Sequence, residues 1–180
     1  MTFYIDSKDR NAAVKVKNTL KVMIREKISE YSHIAVLCIG TDRVTGDSLG
    51  PFVGNKLKNS FICSVYGTIR NPVHAKNLSA VLKTISENGN PLIIAVDAAL
   101  GQRIGSIAVA DEGIKPGTAL NKNLPLSGSI GITGIVNSDG GGMRALQNTR
   151  LSSVLDMSEI IADGIIGAVA GENLRRAYSI

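Results

Sequence analysis

Ile34-Ala-Val-Leu-Cys-Ile39 runs directly into Gly40-Thr-Asp-Arg-Val-Thr-Gly-Asp-Ser-Leu-Gly-Pro51. An unbroken apolar run that stops at a glycine fits a strand buried on both faces, the kind found in parallel sheets. The loop after it carries Asp42 and Asp47 beside Gly40 and Gly46. A helix is predicted from about Leu49 into Lys58, with Pro51 in the first turn, where its missing N–H costs nothing. A second apolar run, Leu92-Ile-Ile-Ala-Val96, ends at Asp97 and continues Ala98-Ala-Leu100. Loops at the carboxyl ends of strands build the binding crevice of an open α/β sheet. If strands 34–39 and 92–97 share one parallel sheet, Asp47 and Asp97 meet at one edge. Two carboxylates there can share a proton, or hold a water or a metal.

The rest of the chain alternates helix and strand. Ala13, Val16, Leu20, Met23, Ile24 and Ile28 recur at helical spacing and predict a helix over 10–30. Phe61 to Val65 reads as a strand, 66–72 as a loop, and His74 to Asn88 as a helix stopped by Asn88-Gly-Asn-Pro91. Strands are predicted at 103–111 and 129–137, with a long polar loop over 113–125 between them. Asp139-Gly-Gly-Gly142 reads as a flexible turn, and 151–178 as a terminal helix. Gly164, Gly167 and Gly171 weaken that helix by about 1 kcal/mol each against alanine, unless they permit close packing on the sheet. Residues 1–9 read as a loosely attached start. This order predicts an α/β fold: a single domain of three layers, α/β/α, with a mostly parallel sheet.

Composition narrows the function. The 180 residues suffice for one domain with a sizeable core. Aromatic residues make up 4% and tryptophan is absent, so the core must be aliphatic and nucleic-acid binding by base stacking is not expected. The net charge is +5 and the isoelectric point is near 9.3. Lys15, Lys17, Lys21, Arg25 and Lys27 form the densest basic stretch, and they read as the solvated face of the first helix. Cys38 and Cys63 fall in predicted strands among apolar neighbours and read as free, buried thiols of a reducing, cytoplasmic compartment. No export signal opens the chain, and the apolar stretch 160–171 is too short and interrupted to span a bilayer, so no membrane partner is expected.

The glycine-rich loop is not a phosphate cradle. Five residues separate Gly40 from Gly46, and Asp47 stands where the phosphate-binding lysine belongs. Taken alone, Asp47 reads as an N-cap and Asp42 as a turn stabiliser. Asp97 follows five apolar residues, so its carboxylate is expected to be partly desolvated and to need a partner. Neighbouring carboxylates resist joint ionisation; one can then act as base toward a water while the other donates a proton. His33 and His74 each read as structural, and neither cysteine has a histidine partner in sequence terms.

The loop 40–51 resembles the first acidic signature of the spore germination protease family, and Val96-Asp-Ala-Ala-Leu-Gly101 resembles its second. Four further stretches are similar to the YyaC group of sporulation proteins. They are Gly67-Thr-Ile-Arg-Asn-Pro-Val-His-Ala-Lys-Asn-Leu78, Gly113-Ile-Lys-Pro-Gly117, Asn121-Lys-Asn-Leu-Pro125 and Gly131-Ile-Thr-Gly-Ile-Val-Asn137. The likeness covers about residues 33–175. It implies a phosphorylase/hydrolase-like fold shared with hydrogenase maturation proteases, and it carries the two catalytic carboxylates onto Asp47 and Asp97. The maturation proteases add a histidine after a later strand as a metal ligand; the stretch 127–137 here holds none. The expectation is thus an aspartate-dependent endopeptidase without cofactor or metal. Asp42 and Thr45 would shape its loop, and Asn121 and Lys122 would orient substrate. Its partner would be a protein or peptide, and a homo-oligomer is compatible with these features. By resemblance, its setting is the mother cell or forespore cytoplasm during sporulation or germination. Two alternatives stand beside it: a non-catalytic regulatory or binding protein on the same fold, and a metal-binding processing protein with Asp42 or Asp139 as third ligand.

Overall fold

The computed structural model describes residues 1–60, 62–116 and 127–178. The elements in chain order are β1 (Thr2–Asp6), α1 (Ala12–Lys27), β2 (His33–Cys38), α2 (Leu49–Lys58), β3 (Ser64–Tyr66), α3 (Leu78–Glu87), β4 (Pro91–Leu100), β5 (Ser106–Ala110), β6 (Ile130–Asn137), α4 (Gly142–Gln147) and α5 (Leu151–Tyr178). Short 3₁₀ turns at Ile28–Glu30 and Gly46–Ser48 close α1 and precede α2. The strands form one sheet in the order β1-β5-β6-β4-β2-β3. Pairing is parallel from β6 through β4 and β2 to β3, while β5 runs antiparallel to both β6 and β1.

Strand alternation divides the core into two layers. Ile34, Val36 and Cys38 of β2, with Leu92, Ile94 and Val96 of β4, face a cluster built with α1, α2 and α5. Leu37 and Ile39 face the other way, into a smaller cluster with Val73 and with Leu78 and Ile85 of α3. The central strands are buried on both faces, which is why they read as unbroken apolar runs. On α1, Val16, Leu20, Met23 and Ile24 are buried, so the lysines of this helix take its remaining positions.

Several boundaries differ from the sequence reading. The first residues are not loosely attached. Thr2–Asp6 pairs antiparallel with β5 in full register, from Thr2 opposite Ala110 to Asp6 opposite Ser106. Only Ile5 in β1 is buried, so the segment carried no periodic signal. β3 lies at 64–66 rather than 61–65, with residue 61 outside the described residues, and Cys63 sits just before the strand. α3 begins at Leu78 rather than His74. Asn77 accepts the His74 backbone N–H at 2.8 Å and donates to the Pro72 carbonyl at 2.9 Å, so its side chain ties 72–77 into a turn. The glycines after Asp139 lead into α4. Gly164 and Gly167 pack on α1 rather than on the sheet: a Cβ at Gly164 would lie 2.5 Å from Val16 Cγ1, and one at Gly167 would lie 2.8 Å from Lys17 Cδ.

α2 lies unusually close to the sheet. A Cβ at Gly54 would sit 1.8 Å from the Gly67 carbonyl oxygen, and one at Gly50 would sit 2.1 Å from the Ile39 carbonyl oxygen. Alanine would add about 1 kcal/mol of helix propensity at Gly54. A backbone clash inside a filled core costs more, about 2–3 kcal/mol. Gly54→Ala should therefore lower the urea unfolding midpoint despite its better propensity.

Burial raises the Cys63 thiol to about 11 and pushes the Cys38 thiol higher still. The folded state keeps these protons where the unfolded chain, with an ordinary thiol value of 9.0, releases them. Their contribution to stability is thus complete below pH 9 and fades as pH climbs toward and past 11. At pH 8 the Cys63 thiolate fraction is roughly a hundredfold below that of a free thiol, so Ellman's reagent should label the native protein slowly and the urea-unfolded chain at once.

Candidate active site

The carboxyl ends of β2 and β4 are staggered. β2 pairs with β4 up to Cys38 opposite Val96, and then stops. β4 continues to Leu100, pairing Asp97 with Thr133 of β6. Asp97 therefore lies inside its strand, not at the strand end as the apolar run suggested, at the level where its other neighbour turns away. By alternation it shares the face of Ile93 and Ala95, opposite the α1-α2-α5 core. It is 7% exposed, and its Oδ1 accepts the Ala98 backbone N–H at 2.8 Å.

The loop leaving β2 brings Asp47 back to this point. Ile39 N–H donates to the Val96 carbonyl at 2.7 Å, and Gly40 N–H donates to the Val73 carbonyl at 2.8 Å. Thr41 N–H donates to the Asp47 carbonyl at 3.0 Å, which closes the loop on itself. Gly40 has φ +137°, and a Cβ there would lie 2.0 Å from the same Asp47 carbonyl oxygen. Glycine is required on both counts. Asp47 lies within the 3₁₀ turn, and the N-cap of α2 is Ser48. Asp47 is thus not the N-cap residue of α2.

Asp42, Asp47 and Asp97 all line one cavity of about 500 Å³ at this edge of the sheet. Thr45 is not on its wall; it shapes the loop through its carbonyl, which accepts the Ser48 hydroxyl at 2.5 Å. Asn121 and Lys122 lie outside the described residues. Asp139 is exposed in the turn after β6, away from the cavity wall. The structure adds groups that the sequence reading left aside. His74, Lys76 and Arg43 line the same cavity, and Val44, Met143 and Leu146 give it an apolar side. His74 arrives because Val73 bridges Ile39 and so brings 72–76 to the sheet edge. Pro72-Val-His74 was the available signal, but it read only as the end of a loop and the start of a helix. Among the described residues no group of three or more His, Cys, Asp or Glu side chains is placed to hold a metal ion. The described donors thus do not fit a resident metal.

Residues 4–164 match the family described as protein of unknown function, DUF1256. The chain belongs to that family. It is 42% identical over 168 residues to the uncharacterized protein YyaC of Bacillus subtilis (strain 168), covering 90% of this chain and 81% of that one. Among solved structures it is similar to the NiFe hydrogenase maturation protease HycI of Thermococcus kodakarensis KOD1. The TM-score is 0.58 at 22% identity, over 84% of this chain and 99% of that one. At that identity the likeness establishes a shared fold, the mixed α/β architecture with a mostly parallel sheet. No helix among the described residues is long and apolar enough to cross a membrane.

Gly40→Ala should displace the loop that carries Asp47. The expected cost is about 2 kcal/mol of stability, with loss of hydrogen-exchange protection at the Thr41 amide, the donor to the Asp47 carbonyl.

Proposed function

We propose that this chain is an aspartate-dependent endopeptidase in which Asp47 and Asp97 activate a water for attack on a peptide carbonyl. The observation that carries this reading is the convergence of these two carboxylates, distant in sequence, on one cavity at the carboxyl ends of parallel strands. One carboxylate, ionised, takes a proton from the water as it attacks. The other, protonated, hydrogen-bonds the carbonyl oxygen and then supplies a proton toward the departing amine. His74, Lys76 and Arg43 offer donors to the substrate backbone, and the apolar wall of Val44, Met143 and Leu146 accepts a neighbouring side chain. Asn121 and Lys122 enter the proposal as substrate-orienting residues on the family likeness alone. The fold of a maturation protease supports a protein substrate, and the Bacillus subtilis relative supports a sporulation or germination setting in the cytoplasm of mother cell or forespore.

The test uses purified wild type, Asp47→Asn and Asp97→Asn on extracts of sporulating cells, with and without chelator. Wild type should cleave at least one protein, each variant should lose about a hundredfold or more, and chelator should change nothing. Variants as active as wild type would end the proposal. A folded wild type that cleaves nothing would instead favour the non-catalytic reading.

A further inference from the structure

A second cavity, of about 510 Å³, adjoins the first, and Pro72 and His74 line both. It follows the outer edge of β3. β3 ends the sheet order on this side, so among the described residues no strand pairs with its outer edge. Val65 packs toward the α1-α2-α5 core and Tyr66 toward the α3 cluster. Lys58 at the end of α2 and Val81 of α3 stand on either side, so the strand edge forms the floor. Tyr66 pairs with Leu37, Gly67 lies against the Cys38 carbonyl, and the next bridge to the sheet is Val73 opposite Ile39. The intervening residues leave the edge and return to it, carrying Arg70 and Asn71 along the groove and leading to the shared wall. Open strand edges are where extended peptides add as a further strand, with main-chain hydrogen bonds for affinity.

The charge of this groove is one-sided. Lys58 and Arg70 line it, and no aspartate or glutamate does. Neither cation has an ion pair among the described residues. The adjoining cavity is mixed, with the three aspartates beside Arg43 and Lys76. We propose that the β3 groove docks an extended, acidic segment of the protein substrate, lying beside the bond to be cut. This inference rests on the peptidase reading for its biological meaning, but the docking itself can be measured without cleavage.

The probe is a fluorescein-labelled Glu-Thr repeat decapeptide, with a Lys-Thr repeat as counterpart, added to full-length Asp97→Asn protein at ~150 mM salt. Anisotropy should show binding of the acidic peptide only. Lys58→Glu with Arg70→Glu should weaken it by about tenfold or more, and the milder Lys58→Ala with Arg70→Ala should weaken it in the same direction. Lys8→Glu with Arg10→Glu changes two exposed cations beside β1, at the opposite edge of the sheet, and should alter binding less than about twofold. No binding, equal binding of the lysine peptide, or equal weakening by the β1-edge pair would overturn the groove. Binding by a wild type that cleaves nothing would overturn the peptidase reading and leave the groove standing. Cleavage without peptide binding would do the reverse.

Discussion

The site depends on one packing constraint: α2 approaches the end of β2 with no side chain between the two backbones. Three glycines permit it. Gly50 lies against the Ile39 carbonyl, Gly54 against the Gly67 carbonyl, and Gly67, at φ +90°, against the Cys38 carbonyl. Each glycine in a helix costs about 1 kcal/mol relative to alanine. Leu49, Val53 and Leu57 on the same helix are fully buried, and burial of each contributes about 1.5–3 kcal/mol, so the close contact is favourable on balance. Because Asp47 sits in the turn that leads into α2, lowering the helix onto the strand also presses Asp47 against Gly40. The position of the first carboxylate is thus a consequence of how tightly the helix can seat.

The second carboxylate is placed by unequal strand lengths. Had β2 run as far as β4, Asp97 would have been covered by a neighbour on both sides. β2 instead stops after Cys38, and its chain turns at Gly40. The carboxylate stays buried among sheet residues yet reaches the cavity wall. A buried carboxylate costs free energy unless it is hydrogen-bonded, and the Ala98 N–H supplies one such bond. Staggering lets one residue be both desolvated and accessible, the two conditions that proton transfer at a carboxylate favours.

The sequence made the central fold legible because its signals were local. Apolar runs at 34–39 and 92–97, bounded by glycine and aspartate, specified β2 and β4, and helical spacing specified α1. The elements it missed are held by distant partners. β1 exposes four of its five residues and exists through pairing with β5, from Thr2 opposite Ala110 to Asp6 opposite Ser106. His74 is a wall of the site because Val73 reaches Ile39, and no local pattern encodes that bridge. Asp97 could be flagged from its apolar prefix. The capping explanation for Asp47 gave way because α2 starts at Leu49, which makes Ser48 its N-cap and leaves Asp47 in the preceding 3₁₀ turn.

Charge is partitioned along this edge in a way that the overall net charge of +5 does not reveal. The lysine-rich face of α1 suggested only a solvated helix. The informative cations are Lys58 and Arg70, which sit on different elements and meet only in the groove beside β3. Three aspartates lie past the wall at His74. Arg43 and Lys76 share that cavity with the aspartates, so its charge is mixed, whereas the groove side carries cations and no carboxylate. Unit charges about 4 Å apart interact by about 1 kcal/mol in water, and by about 4 kcal/mol at the effective dielectric of a protein surface. Even the smaller figure exceeds thermal energy. The same main-chain hydrogen bonds could seat a peptide in either direction along a strand edge. Charge biases that choice toward the seating that leaves a segment's acidic residues beside Lys58 and Arg70, where no carboxylate opposes them.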